Sequence, residues 1–188
     1  MDYKRSHTCN ALRLDNENEN VTLSGWVHRR RDHGGLIFID LRDRFGLTQL
    51  IFDPDISKES HALASTLRQE WVISAKGRVR PRGEGLANPK LATSEIEVEV
   101  KEFHVLSESK TPPFSVNDPS DETSEDIRLR YRYLDIRRGA VIKKLEIRHA
   151  IMLLTRNFLD SHQFLEVNTP ILGRSTPEGA RDYLVPSR

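Results

Sequence analysis

Apolar and polar positions alternate through most of the first hundred residues. In VTLSGWVHRR, residues 21–30, Val21, Leu23 and Val27 fall on one face of a predicted strand. The turn Asp32-His33-Gly34-Gly35 separates it from a second strand, LIFIDLR, in which Ile37, Ile39 and Leu41 share one face and Phe38 and Asp40 the other. GLTQLIF, residues 46–52, forms a third strand that Asp53-Pro54 breaks. SKESHALASTLRQ, residues 57–69, has helical spacing through Leu63 and Leu67. A fourth strand runs from Trp71 to about Arg80. The loop PRGEGLANPK carries two prolines and two glycines and reads as a turn-rich excursion. In EIEVEVK, Ile96, Val98 and Val100 alternate with Glu95, Glu97, Glu99 and Lys101, which predicts one buried and one wet face.

Three strands, a helix and two strands is the order of an OB-fold, a small barrel whose open face often binds single-stranded nucleic acid. A five-stranded barrel of another connectivity fits the same pattern. Residues 107–125, SESKTPPFSVNDPSDETSE, hold three prolines and few large apolar side chains, the composition of a linker. Asp126 to Arg138 suits a helix that Gly139 interrupts. Ile147, Ile151, Leu154 and Phe158 then recur as one stripe of a long amphipathic helix. FLEVNTP predicts a short strand ending at Pro170, and ILGRSTPEGARDYLVPSR a loop that stops as though cut. The expected organisation is a barrel over 1–106, a linker over 107–125 and the start of a second domain over 126–188.

Composition narrows the class. Hydrophobic residues make up 37% and charged residues 30%, the balance of an ordinary globular protein. No apolar run approaches the roughly 18 residues of a membrane span, and the start MDYKRSHTCN lacks the apolar core of a signal peptide. The single cysteine, Cys9, permits neither an internal disulfide nor a cysteine-based zinc site. Together these points lead to an expectation of a cytoplasmic protein without a membrane partner. Net charge is only +1, yet it is unevenly spread. Residues 107–126 carry six acids against Lys110, and residues 128–148 carry eight bases against two acids. Such local patches are what a polyanion meets.

Candidate chemistry gathers on the first hairpin. Arg29, Arg30 and Arg31 attract phosphate without regard to sequence. Phe38, opposite the Ile37/Ile39/Leu41 face, is expected to point outward as a platform for base stacking. Gln49 offers a donor and an acceptor for a base edge, and Glu97 can accept from base amino groups. Each has an ordinary alternative: a solvated arginine run, an aromatic packed under a loop, polar residues on a wet face. It is the combination on an OB-like order that points to nucleic acid, and to single-stranded or loop RNA, because stacking needs unstacked bases. Gly83-Glu84-Gly85 is no phosphate-binding fingerprint, since no strand-to-helix turn is expected there. The seven histidines have no metal-ligand spacing, and no serine–histidine–aspartate arrangement can be argued.

The chain also resembles a known family. GWVHRRRDHGGLIFIDLRDRFGLTQLIFDPD, RLRYRYLDIRR and above all FLEVNTPILGRSTPEGARDYLVPSR are similar to the N-terminal portion of bacterial aspartyl-tRNA synthetases, which are class II aminoacyl-tRNA ligases. The resemblance implies an OB-fold anticodon-binding barrel followed by the beginning of an α+β catalytic domain, truncated here. It implies that Phe38 stacks on an anticodon base, that Gln49 and Glu97 read bases, and that Arg31 and Arg82 lie near the anticodon. The long helix and FLEVNTP look like class II motif 1, whose proline is Pro170 and which builds a homodimer interface. Ser175–Asp182 looks like the loop that closes over substrate, with Glu178 binding the amino group of L-aspartate. In the family, aspartate's carboxylate attacks the α-phosphate of ATP to give aspartyl-adenylate and pyrophosphate, and the terminal ribose hydroxyl of the tRNA then takes the aspartyl group. Motifs 2 and 3, which handle ATP and Mg2+, come later in the family than Arg188, so neither cofactor is expected on this chain alone, nor is ligase activity. His33 and Gly85 resemble the subgroup that charges both tRNA-Asp and tRNA-Asn. A synthetase restricted to tRNA-Asp, or a free-standing RNA-binding protein without chemistry, are the alternatives; DNA is not an expected partner.

Overall fold

A computed structural model describes residues 4–83, 85, 87, 89, 91–118 and 122–173. The chain divides into two compact units, Met1–Gly139 and Ala140–Arg188.

In the first unit, β1 (Asn20–His33), β2 (Leu36–Arg42), β3 (Leu47–Phe52), α1 (Lys58–Ala64), β4 (Val72–Pro81) and β5 (Ile96–Ser107) follow in that order. The strands close into a barrel in the order β1-β2-β3-β5-β4. This is the OB-fold that the strand order predicts. All neighbours pair antiparallel except β3 and β5, whose parallel pairing places Leu50 beside Val98 and Ile51 beside Glu99. β1 is long enough to pair with both β2 and β4. The expected apolar faces line the interior: Val21, Leu23 and Val27 meet Ile37, Ile39, Leu41, Leu50, Phe52, Ile96, Val98 and Val100 in one core cluster. Phe103 closes edge-on against Phe52, with ring centroids 5.1 Å apart.

Tight curvature needs glycine at two points. A Cβ on Gly25 would sit 2.4 Å from the Arg42 carbonyl oxygen, and one on Gly77 would sit 2.2 Å from that of Glu99. Both are backbone contacts, so nothing flexible can give way. Gly77 coincides with a register shift between β4 and β5, the mark of a bulge that bends the strand.

α1 is shorter than its hydrophobic spacing suggests. Ser57 caps it by accepting from the Ser60 backbone N–H at 3.2 Å. At its far end the Ser65 and Thr66 hydroxyls donate back to the carbonyls of Ala62 and Leu63, a local alternative to further helix. Leu67 still reaches the core after the helix has ended, whereas Leu63 stays exposed.

The segment after β5 is anchored on the barrel. Phe114 and Val116 pack with Leu134 and Tyr131 in a second small cluster. Glu70, only 3% exposed, ties the same segment to the barrel. It accepts two bonds from Arg42, at 2.9 and 3.0 Å, and a further one from Arg137. Arg137 also lies over the Trp26 ring, 4.6 Å from its centroid. Burial pulls the pKa of both guanidinium groups down to about 10, with the Arg42 charge adding to the effect on Arg137. In place of one helix over 126–138 there are two: α2 (Glu125–Arg130) and α3 (Arg132–Asp135), broken at Tyr131, whose ψ of 45° is not helical. Buried Asp135 accepts from Arg128 at 2.9 Å and from Arg132, which fastens the two pieces together.

In the second unit, α4 (Gly139–Ser161) is continuous. Gly139 begins it rather than interrupting a longer helix. The stripe Ile147, Ile151, Leu154 and Phe158 is on the surface, Leu154 being 70% exposed. FLEVNTP does not form the expected strand: residues 164–170 have no regular structure, and Leu165 is 87% exposed. A strand is held by ladder bonds to a neighbour, and among the described residues none is available to it. Arg156 ties the segment to α4 by donating to both Glu166 oxygens at 3.0 Å.

Candidate nucleic-acid interface

The β1–β2 hairpin turns through Gly34 and Gly35, with φ of +60° and +81°. Two positive-φ residues in succession suit the tight turn whose twist matches a hairpin. Its register pairs Arg31 with Phe38 and Asp32 with Ile37. Because Ile37 and Ile39 face the core, Phe38 takes the outer face, half-buried, as its alternation predicts. Arg31 shares that face. The three arginines separate in role. Arg30 pairs with inward-facing Ile39 and donates to the Ser65 and Leu67 carbonyls beyond α1. It is therefore a structural strap rather than a free cation. Arg29 lines an open hollow of about 510 Å³ with His28, Gln69, Ser115 and Asn117.

Beside Phe38 a chain of side-chain bonds crosses the barrel. Arg31 donates to Asp40 at 2.7 Å and to the Gln49 Oε1 at 3.0 Å. The Gln49 amide donates to Glu97 at 2.8 Å. Arg80 donates to Glu97 at 2.9 Å and to Glu99 at 2.8 Å, and Arg78 reaches Glu99 at 3.3 Å. Gln49 and Glu97 are only 7% and 6% exposed, so the wet-face expectation for both, and for Glu99, is corrected. The long arginine side chains of β1 and β4 lie over them, and a buried carboxylate is tolerable because each of its oxygens is paired. The result is a row of alternating charges whose members fix one another's rotamers.

Arg82 stands at the edge of this row. Its Nε donates to the Ile96 carbonyl at 3.0 Å. Its Nη2 is shielded from solvent and has no partner among the described residues. Burial lowers its pKa against the raising effect of Glu97 and Asp40. A donor left in that condition favours any acceptor that reaches it. His33 is exposed at the hairpin tip, and Gly85 has a φ of +76° and, among the described residues, nothing within 4 Å of a Cβ built upon it. Pro170 is exposed in the irregular segment after α4. Glu178 lies outside the described residues.

Sequence reasoning missed Arg80, Asp40, Arg78 and Glu99. Period-2 alternation puts Asp40 with Phe38 and Glu99 with Glu97, so a signal existed for those two. The arginines of β4 become visible only once β4 is known to neighbour β5. Among the described residues no helix is long and apolar enough to cross a membrane.

Comparison with known proteins agrees with this geometry. Residues 21–106 match the family model of the OB-fold nucleic acid binding domain, and residues 124–188 that of the class II tRNA synthetases (D, K and N). Residues 124–188 are thus similar to the class II tRNA synthetases of that group. Within it, the relatives are more particular. The chain is 67% identical, over all of its length and 31% of the relative's, to an aspartate–tRNA(Asp/Asn) ligase of Protochlamydia amoebophila. It is 56% identical to the ligase of the same name from Chlamydia pneumoniae, over 98% of this chain and 32% of that one. The chain thus spans about a third of the length of the curated relatives it matches. Among solved structures it is similar to the aspartyl tRNA synthetase of Entamoeba histolytica, with a TM-score of 0.79 and 25% identity over 90% of this chain and 40% of that one. It also shares the fold of the asparaginyl-tRNA synthetase of Pyrococcus horikoshii, with a TM-score of 0.75 and 24% identity over 89% and 38% of the two chains.

Proposed function

We propose that this chain is the anticodon-reading part of an aspartate–tRNA ligase that charges both tRNA-Asp and tRNA-Asn. In this reading residues 1–106 are the anticodon barrel, 107–125 the hinge, and 126–188 the opening of the catalytic domain. The observation that carries it is the outer face of the first hairpin, where half-exposed Phe38 stands beside side chains already held in place. Stacking a base on Phe38 contributes about 1–3 kcal/mol. Gln49, with its carbonyl accepting from Arg31 and its amide donating to Glu97, keeps one hydrogen and one lone pair for a base edge. Arg82 Nη2 supplies a second donor. Because the row is bonded before RNA arrives, little side-chain freedom is lost on binding.

The two anticodons differ in their third base, C against U. An exposed His33 that can donate or accept, and a side-chain-free Gly85, favour tolerance of both, and the names of the chlamydial relatives point the same way. The complete ligase joins aspartate to ATP with loss of pyrophosphate and passes the aspartyl group to the tRNA's terminal ribose. Among the described residues no cluster of three or more His, Cys, Asp or Glu side chains could hold a metal ion. No chemical step is assigned to the described residues. Glu178, in the substrate loop, is the proposed partner of the aspartate amino group, a charge-assisted contact. Pro170 belongs to the proposed homodimer motif. The likeness to tRNA ligases points to the cytoplasm, and burial and Asp43 push the pKa of the Cys9 thiol up, which leaves it unreactive.

The test is binding of the 188-residue chain to two anticodon hairpins, one ending its anticodon in C and one in U. Similar affinities, lost together on Phe38→Ala, are the expected result. A clear preference for C returns the chain to a tRNA-Asp-restricted enzyme, and binding to neither removes the anticodon function.

A further inference from the structure

The tip of the β1–β2 hairpin has no side chain at Gly34 or Gly35, and a Cβ built at either would meet nothing within 4 Å. Its position is set from outside. His61, in α1, has its Nε2 2.9 Å from the Gly35 carbonyl oxygen. A carbonyl can only accept, so Nε2 carries the hydrogen and the ring donates. Four residues before Gly34, Arg30 Nη1 is bonded to the carbonyls of Ser65 and Leu67, just past the C-terminal end of α1. The helix is itself fixed. Ser60 Oγ donates to the Lys101 carbonyl at 3.1 Å, and Ala64 and Leu67 are packed in the barrel core. A rigid element therefore holds the hairpin at two separated points, one at the base of its exposed arm and one at the tip. The tip carries His33, next to Gly34.

We propose that His61 is a specificity-positioning residue: by holding the Gly34–Gly35 turn, it sets where His33 meets the third anticodon base. This rests on the anticodon reading above. His61 lies outside the Arg31–Gln49–Glu97 row and need not touch RNA. Losing its bond lets the tip swing while the Phe38 platform and the charged row, both rooted further down the hairpin, stay in place. The effect belongs to discrimination between bases and not to overall affinity.

The experiment measures dissociation constants of the 188-residue chain for the C-ending and U-ending hairpins, with thermal midpoints read in parallel. Variants are His61→Ala, His61→Gln, His33→Ala and the double variant His61→Ala/His33→Ala. His61→Ala is expected to change the ratio of the two constants by about threefold or more, and to change it no further once His33 is already alanine, the signature of two residues acting through one another. His61→Gln keeps a donor at comparable reach and is expected to retain the original ratio. An unchanged ratio in His61→Ala, the same change with and without His33, or a glutamine variant that behaves as alanine does, would each overturn the proposal. A merely structural His61 would lower the thermal midpoint and both affinities together, leaving the ratio alone. If the unsubstituted chain binds neither hairpin, the anticodon reading and this inference fall together. If it binds but the ratio ignores His61, only the inference falls.

Discussion

Phe38 and Glu97 differ in what their removal does, although both sit on the proposed RNA face. Phe38 is half-exposed and outside the core cluster, so Phe38→Ala should leave the barrel folded. Its expected cost is in hairpin binding, about tenfold or more for one lost stacking platform, read by fluorescence anisotropy. Glu97→Ala should instead be destabilising, by about 1–3 kcal/mol, because it leaves the buried Gln49 amide without its acceptor and removes one of the two carboxylates that hold Arg80. Urea denaturation checks this, and a variant as stable as the parent chain would mean the row is not buried in solution. Residue-scale chemistry was legible in part. Phe38, Gln49 and Glu97 could be put on one outer face by counting in twos. That the two polar residues are covered, and by which arginines, depends on β4 lying beside β5, which no local pattern states. Arg30 was misread for a related reason: in sequence it is one of three equivalent cations, and only the fold turns it toward the carbonyls beyond α1.

At the scale of elements, the β-strands were legible and the helical region less so. Alternation over Leu36–Arg42 and Ile96–Val100 marks strands whose two faces meet different surroundings, and LIFIDLR forms a strand over the residues expected. The break at Tyr131 was not legible, because its cause is Asp135, drawn under Arg128 and Arg132 by tertiary packing. Burial alone would raise the pKa of Asp135, but hydrogen bonding and charge from Arg128, then Arg132, outweigh it and hold the carboxyl below its ordinary value. The unfolded chain thus binds the proton more readily than the folded one. Asp135 contributes stability that is present above the ordinary aspartate range and is lost as pH falls through the depressed value. Protection of the α2–α3 amides, measured against their intrinsic exchange rates, should therefore fall in acid below about pH 4, the ordinary aspartate value. Asp135→Asn should show weaker α2–α3 protection at neutral pH and a flatter acid profile.

For the whole molecule, the contrast is between a closed barrel and an apolar surface left open. Phe164, 66% exposed, Leu165 and the α4 stripe place many large apolar side chains on the surface, the kind of surface that drives association. The isolated chain is expected to self-associate, with sedimentation above the monomer value. Replacing Ile151 and Leu154 with aspartate is expected to return it toward monomer without altering the barrel's denaturation midpoint. A monomeric parent chain in which residues 164–170 are protected from exchange would contradict this. The missing strand has the same cause: FLEVNTP has the composition of a strand, but a strand exists only with a neighbour.

The parallel pairing of β3 with β5 has a further consequence during synthesis. β1, β2 and β3 can zip together as they emerge, yet the sheet keeps open edges until its last strand arrives to join β3 to β4. Closure therefore waits for Val98 and Glu99, which pair with Leu50 and Ile51 of β3. A ribosome from which β5 has emerged carries a finished barrel, while the segment that begins with α4 still has its apolar stripe exposed. Any pause between those two points would present nascent chains that are already folded at one end and adhesive at the other.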